Sequence, residues 1–181
     1  MQEVPPEKLQ PILVEKFQSG VELKTLVAAG ALANARSFGG QDYVGFHTIM
    51  ALMPAWHMSR QMPKGTEPLP VLKVLYRNAE RIQKHGGPKT EVLKPIIGDA
   101  APEEGGGKRL QAVMRKGVMD DTEQTFYGLA QGKPTDAYNA LLHIVQDDVD
   151  VHRVALAWRA WDVLQLTGSQ YAHTLLRQSV R

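Results

Sequence analysis

The chain has 181 residues, a net charge of +2, 43% hydrophobic and 22% charged residues, the balance of a folded globular domain and not of a disordered segment. It contains no cysteine, which removes disulfides, thiolate metal sites and cysteine nucleophiles together. Its basic residues are scattered and lack interleaved aromatics, no stretch approaches the ~18 apolar residues of a membrane span, and no basic-then-apolar leader opens the chain. These readings predict a cytoplasmic protein with neither nucleic acid nor membrane as partner.

Apolar spacing predicts helix almost throughout. Leu9, Ile12, Leu13 and Phe17 form one stripe over 5–17, and Gly20 suits its end. Leu26, Val27, Gly30 and Ala33 continue the pattern over 23–36, closed by Gly39 and Gly40. A long helix comes next over 43–61, with Pro54 expected to kink it. Pro70 suits the first turn of another, where Leu72, Leu75, Ala79 and Ile82 share a face and His85-Gly86-Gly87-Pro88 ends it. Segment 88–107, with Pro95, Pro102 and three consecutive glycines, reads as a linker or loop. Helical spacing returns over 109–116, 121–131, 136–146, 149–166 and 170–181. Strand-like alternation is missing, so the fold class is all-α.

An internal repeat organises the expectation further. Segment 42–57 lies on 147–162 without a gap: Asp42 meets Asp147, Val44 meets Val149, His47 meets His152 and Trp56 meets Trp161. Further on, 74–78 resembles 174–178. The period exceeds that of common helical solenoids, which points to a duplicated multi-helix unit. The expected architecture is a single domain of two diverged, pseudo-symmetric halves, about 21–87 and 108–181, joined by 88–107. Arg181 falls inside a helical pattern with no cap, so the chain is expected to be a fragment with apolar side chains exposed at its end, or covered by the rest of a longer chain or another protein.

The candidate chemistry is carried by histidines. His47 shares a helix face with Val44, Ala51, Pro54 and Met58, and His152 with Val149, Leu156 and Val163, so both are expected to be buried. A histidine on an apolar stripe is most simply a core residue bonded to a neighbour, but two at equivalent repeat positions can meet across an interface and ligate a metal. His47 and His57 are roughly 15 Å apart along one helix, so a mononuclear site must be assembled between helices. Asp148 lies one turn before His152, a spacing that suits chelation or tautomer control, although aspartates at a helix start also cap it. The expected ligand set is His47, His152 and Asp148, completed by one of His57, His143 or His173. Nitrogen and carboxylate donors suit iron first, with zinc or manganese as alternatives, and a haem between two histidines would use the same residues. Trp56, Trp158, Trp161 and the methionines at 50, 53, 58 and 62 read as packing. Phosphate-loop, zinc-protease, EF-hand and dinucleotide signatures are missing.

These residues together predict a metal-dependent enzyme, a non-haem iron oxidoreductase acting on a small molecule. The alternative is a non-catalytic helical interaction domain whose histidines are structural.

Overall fold

The computed structural model describes residues 1–38, 43–87, 89, 92, 95–96 and 105–180. Among them all regular structure is helical, in the order α1 (Pro6–Gln18), α2 (Leu23–Ser37), α3 (Tyr43–Ser59), α4 (Leu69–His85), α5 (Gly106–Met114), α6 (Met119–Ala130), α7 (Pro134–Val145), α8 (Val151–Thr167) and α9 (Ala172–Leu176), the last flanked by 3₁₀ turns. None of these helices is long and apolar enough to cross a membrane.

Local chemistry accounts for the boundaries. Proline occupies the first turn of α1, α4 and α7, where its missing N–H costs nothing. Asp150 caps α8: its carboxylate accepts from the backbone N–H of His152 at 2.6 Å and of Arg153 at 3.2 Å. That cap starts α8 at Val151, two residues later than the apolar spacing predicts. The reading of 88–107 as linker falls largely outside the described residues, as do Gly39, Gly40 and Asp42. Its end is corrected, because Gly106 and Gly107 belong to α5. Gly105 precedes that helix at φ +80°, and a Cβ on Gly107 would meet the His143 ring at 2.2 Å, so the glycines allow α5 to approach α7. Pro54 lies within α3, whose helix continues to Ser59.

α2 is the central element, packing on α3, α4, α8 and α9, while α5, α6 and α7 pack together and join the rest through α8 and α9. One apolar core runs from Leu9 and Leu13 of α1 through Val27, Leu52, Leu75, Phe126 and Leu141 to Leu175 and Val180. Each such side chain contributes ~1.5–3 kcal/mol by its removal from water. The expected exposure of apolar residues near position 181 is not observed: Leu175, Leu176 and Val180 are fully buried. Helices α3 and α8, which carry the aligned segments 42–57 and 147–162, each span 17 residues, but α8 begins three residues later in that alignment. Their matched successors differ in length, since α4 has 17 residues and α9 has 5.

Polar groups are built into this core. Asn34, Thr48 and Asn78, all buried, come from α2, α3 and α4. The Asn34 amide nitrogen donates to Asn78 Oδ1 at 2.7 Å and reaches Gly45 O and Thr48 Oγ1 at 2.9 Å. Asn78 in turn donates to Gly30 O at 3.0 Å. Gln178 reaches the same Asn34 from the C-terminal turn at 3.4 Å.

Candidate functional site

α3 and α8 cross so that the rings of His47 and His152 meet edge to face, with centroids 5.2 Å apart and planes at 83°. Their burial corrects the expectation: His47 is exposed and His152 half-buried. The face that turns inward on α3 carries Thr48, Ile49, Leu52 and Met53, and Met58 on the histidine flank is exposed. On α8, Leu156 and Val163 are buried, but Val149 lies outside the helix and is 72% exposed.

The acidic cluster before α8 is occupied by structural tasks. Asp147 takes a two-pronged guanidinium bond from Arg115, both contacts at 2.7 Å, and a further bond from Gln111. The Arg115 guanidinium holds its carboxyl below the usual carboxylate range. Asp148 faces Arg153 at 3.3 Å. Because Asp148 precedes the helix, the one-turn geometry expected between it and His152 does not apply. Asp150 takes that place, with its carboxylate 3.4 Å from His152 Nδ1. The N–H groups of Arg153 and His152 hold the Asp150 carboxyl low as well.

The other three candidate histidines stand elsewhere. His57 is exposed near the end of α3, its ring 5.0 Å from that of Trp56. His143 of α7 packs against Gly107, and its backbone carbonyl accepts from Gln111. His173 of α9 lies between Phe126 and Tyr127 of α6, at 6.1 and 5.1 Å. Among the described residues no three histidine or acidic side chains are grouped to hold an ion.

His173 instead belongs to a cavity of about 240 Å³ whose wall includes Arg36, Ile96, Tyr127, His173, Thr174 and Arg177. Arg177 is buried and donates from Nε to the buried carboxylate of Glu123 at 2.7 Å. The His173 Nε2 is buried and has no hydrogen-bond partner among the described residues. Burial, aided by the positive charge of Arg177, pushes the imidazole down to about 4, against the opposing pull of Glu123. A partly open pocket that holds a perturbed titratable group is a candidate binding site. Sequence reasoning places His173 among the metal candidates and passes over Arg36, Glu123, Tyr127 and Arg177. The available signal is the spacing of His173 and Arg177, one helical turn apart on an apolar segment.

No family model, curated protein or solved structure matches this chain. Its functional reading rests on the side chains themselves.

Proposed function

We propose that the chain is a metal-dependent enzyme whose ion sits on the seam between α3 and α8, ligated by His47 and His152. The observation that supports it is the 5.2 Å approach of the two rings from distant parts of the chain. A metal–nitrogen bond of ~2 Å and a ring radius of roughly 1 Å put two imidazole centroids about 5 Å apart at a tetrahedral angle. Each ring needs only one nitrogen for the ion and leaves the other for an outer partner, the role that Asp150 fits at His152. In this reading α3 and α8 are diverged copies of one helix, and the site lies where equivalent residues meet. Two imidazoles without thiolate leave open positions for water or a small-molecule substrate, which suits non-haem iron and an oxidoreductase, with zinc or manganese as the redox-inert or slower alternatives.

Metal analysis of the purified chain, supplemented in turn with iron, zinc and manganese, tests this directly. Stoichiometric metal is expected, lost on His47→Ala or His152→Ala and retained on His143→Ala. A metal-free chain that takes up none of the three ions on titration would sink the reading.

One observation favours the alternative of a helical interaction domain. Val151, Val154 and Trp158 form an apolar stripe on the outer face of α8, with exposures of 77, 45 and 50%. Exposed apolar patches of this kind mark contact surfaces. A metal-free chain that self-associates, and loses that association on Trp158→Glu, would favour it.

A further inference from the structure

Trp56 and Trp161 are both half-buried, but their rings are covered differently. Trp161 of α8 is stacked on Tyr138 of α7, with centroids 4.9 Å apart and planes at 26°. Trp56 of α3 instead carries the guanidinium of Arg60, one helical turn on and 5.3 Å from the ring centroid. It borders an open groove of about 470 Å³, a volume within the ~300–1,000 Å³ of small-molecule sites.

The groove forms where α1 ends, α2 begins and α3 runs into the turn before α4. Phe17, Leu23 and the Trp56 ring supply its apolar lining, and charged groups of both signs stand around them. Glu22 is engaged by Lys24 at 2.8 Å. Glu67 is fixed in the turn by the backbone N–H of Gly65, which donates to one carboxylate oxygen at 2.6 Å and leaves the other to a ligand. Stacking on a ring likewise leaves the in-plane N–H groups of the exposed Arg60 guanidinium to a further acceptor.

We propose that this groove binds a free aromatic amino acid as its zwitterion, with the carboxylate toward Arg60, the ammonium toward Glu67 and the ring against Phe17, Leu23 and Trp56. The lining carries Glu22 and Glu67 against Lys24 and Arg60, so a simple anion or cation meets as much repulsion as attraction, whereas a zwitterion answers both signs. An uncharged apolar ligand would cover Arg60 and Glu67 without giving either a partner. An aromatic body suits a lining in which two of the three apolar side chains are rings, because ring pairs gain more than their area alone. The groove shares no residue with the metal seam, so each stands or falls without the other.

L-Phenylalanine is the probe, read by NMR on the indole N–H signals of the chain's three tryptophans, with Trp56→Phe identifying the signal of Trp56. A saturable shift is expected at Trp56. Phenylalaninamide lacks the carboxylate charge, N-acetylphenylalanine lacks the ammonium and glycine lacks the ring. Each is expected to bind at least about fivefold more weakly, the size of an ion pair open to solvent. Arg60→Gln is expected to weaken L-phenylalanine about fivefold and leave phenylalaninamide unchanged. Glu67→Gln is expected to weaken L-phenylalanine by about the same factor and leave N-acetylphenylalanine unchanged. The proposal is overturned if L-phenylalanine gives no saturable shift at Trp56, if any of the three analogues binds as tightly, or if folded Arg60→Gln or Glu67→Gln chains bind it as the parent does.

Discussion

Asn34, Thr48 and Asn78 sit on faces that otherwise carry leucine, valine and alanine, and each is buried because the others satisfy it. An amide removed from water without partners costs about 1–3 kcal/mol, whereas the same amide in a closed network fixes which helices meet and in what register. Asn78→Ala would leave the Asn34 amide short of its 2.7 Å acceptor and the Gly30 carbonyl short of its donor. The expected cost is about 3 kcal/mol, read as a lower urea midpoint with an unchanged slope. The sequence displays these residues as polar interruptions of an apolar stripe. It does not display their partners, which lie 14 and 44 positions from Asn34.

At the scale of elements, legibility follows amphipathicity. In α4 the alternation is steep, and Leu72, Leu75, Ala79 and Ile82, expected on one face, are all buried while Lys73, Arg77 and Lys84 face water. α3 and α8 carry apolar residues nearly all round, so spacing alone does not select a buried face. For that reason spacing puts His47 and His152 inside, whereas packing leaves them at an exposed crossing. The Glu123–Arg177 bond joins α6 to the turn after α9 and is buried at both ends. Glu123→Leu takes the Nε acceptor from a buried guanidinium and is expected to cost about 3–5 kcal/mol, while the Glu123→Leu, Arg177→Met double change is expected to return within about 1 kcal/mol of the parent. Denaturant unfolding of the three variants measures this. Equal destabilisation by the single and double changes would show that the charge pair itself, and not the loss of one partner from a buried charge, supports the junction.

For the whole molecule, the clearest pH dependence comes from His173. Its ring titrates near 6.5 in an unfolded chain and at about 4 in the fold. Between those values the unfolded chain holds more protons, so stability rises with pH across the window. It is fully present above about 6.5 and lost as pH falls toward 4. One unit corresponds to ~1.36 kcal/mol, and solvent contact at the half-buried ring reduces the total to about 2 kcal/mol. Thermal melts between pH 7 and 4 are expected to fall steeply for the parent and more gently for His173→Phe. Parallel curves would show that His173 does not govern the acid limb.

The all-α class, the position of most helices and the buried face of α4 were determined by the sequence itself, because proline, glycine and apolar periodicity act over a few residues and need no partner. The sequence also marked His47 and His152 as a pair, because segments 42–57 and 147–162 align with one histidine on the other. Only the tertiary structure decided that they meet at an exposed seam, that Asp150 and not Asp148 stands by His152, and that His173 joins Arg36 and Arg177 around a cavity. Those outcomes depend on where a cap starts one helix and on which face of an almost uniformly apolar helix turns inward. Such choices are made by packing against segments far along the chain, and the energy that makes them is not written in any one segment.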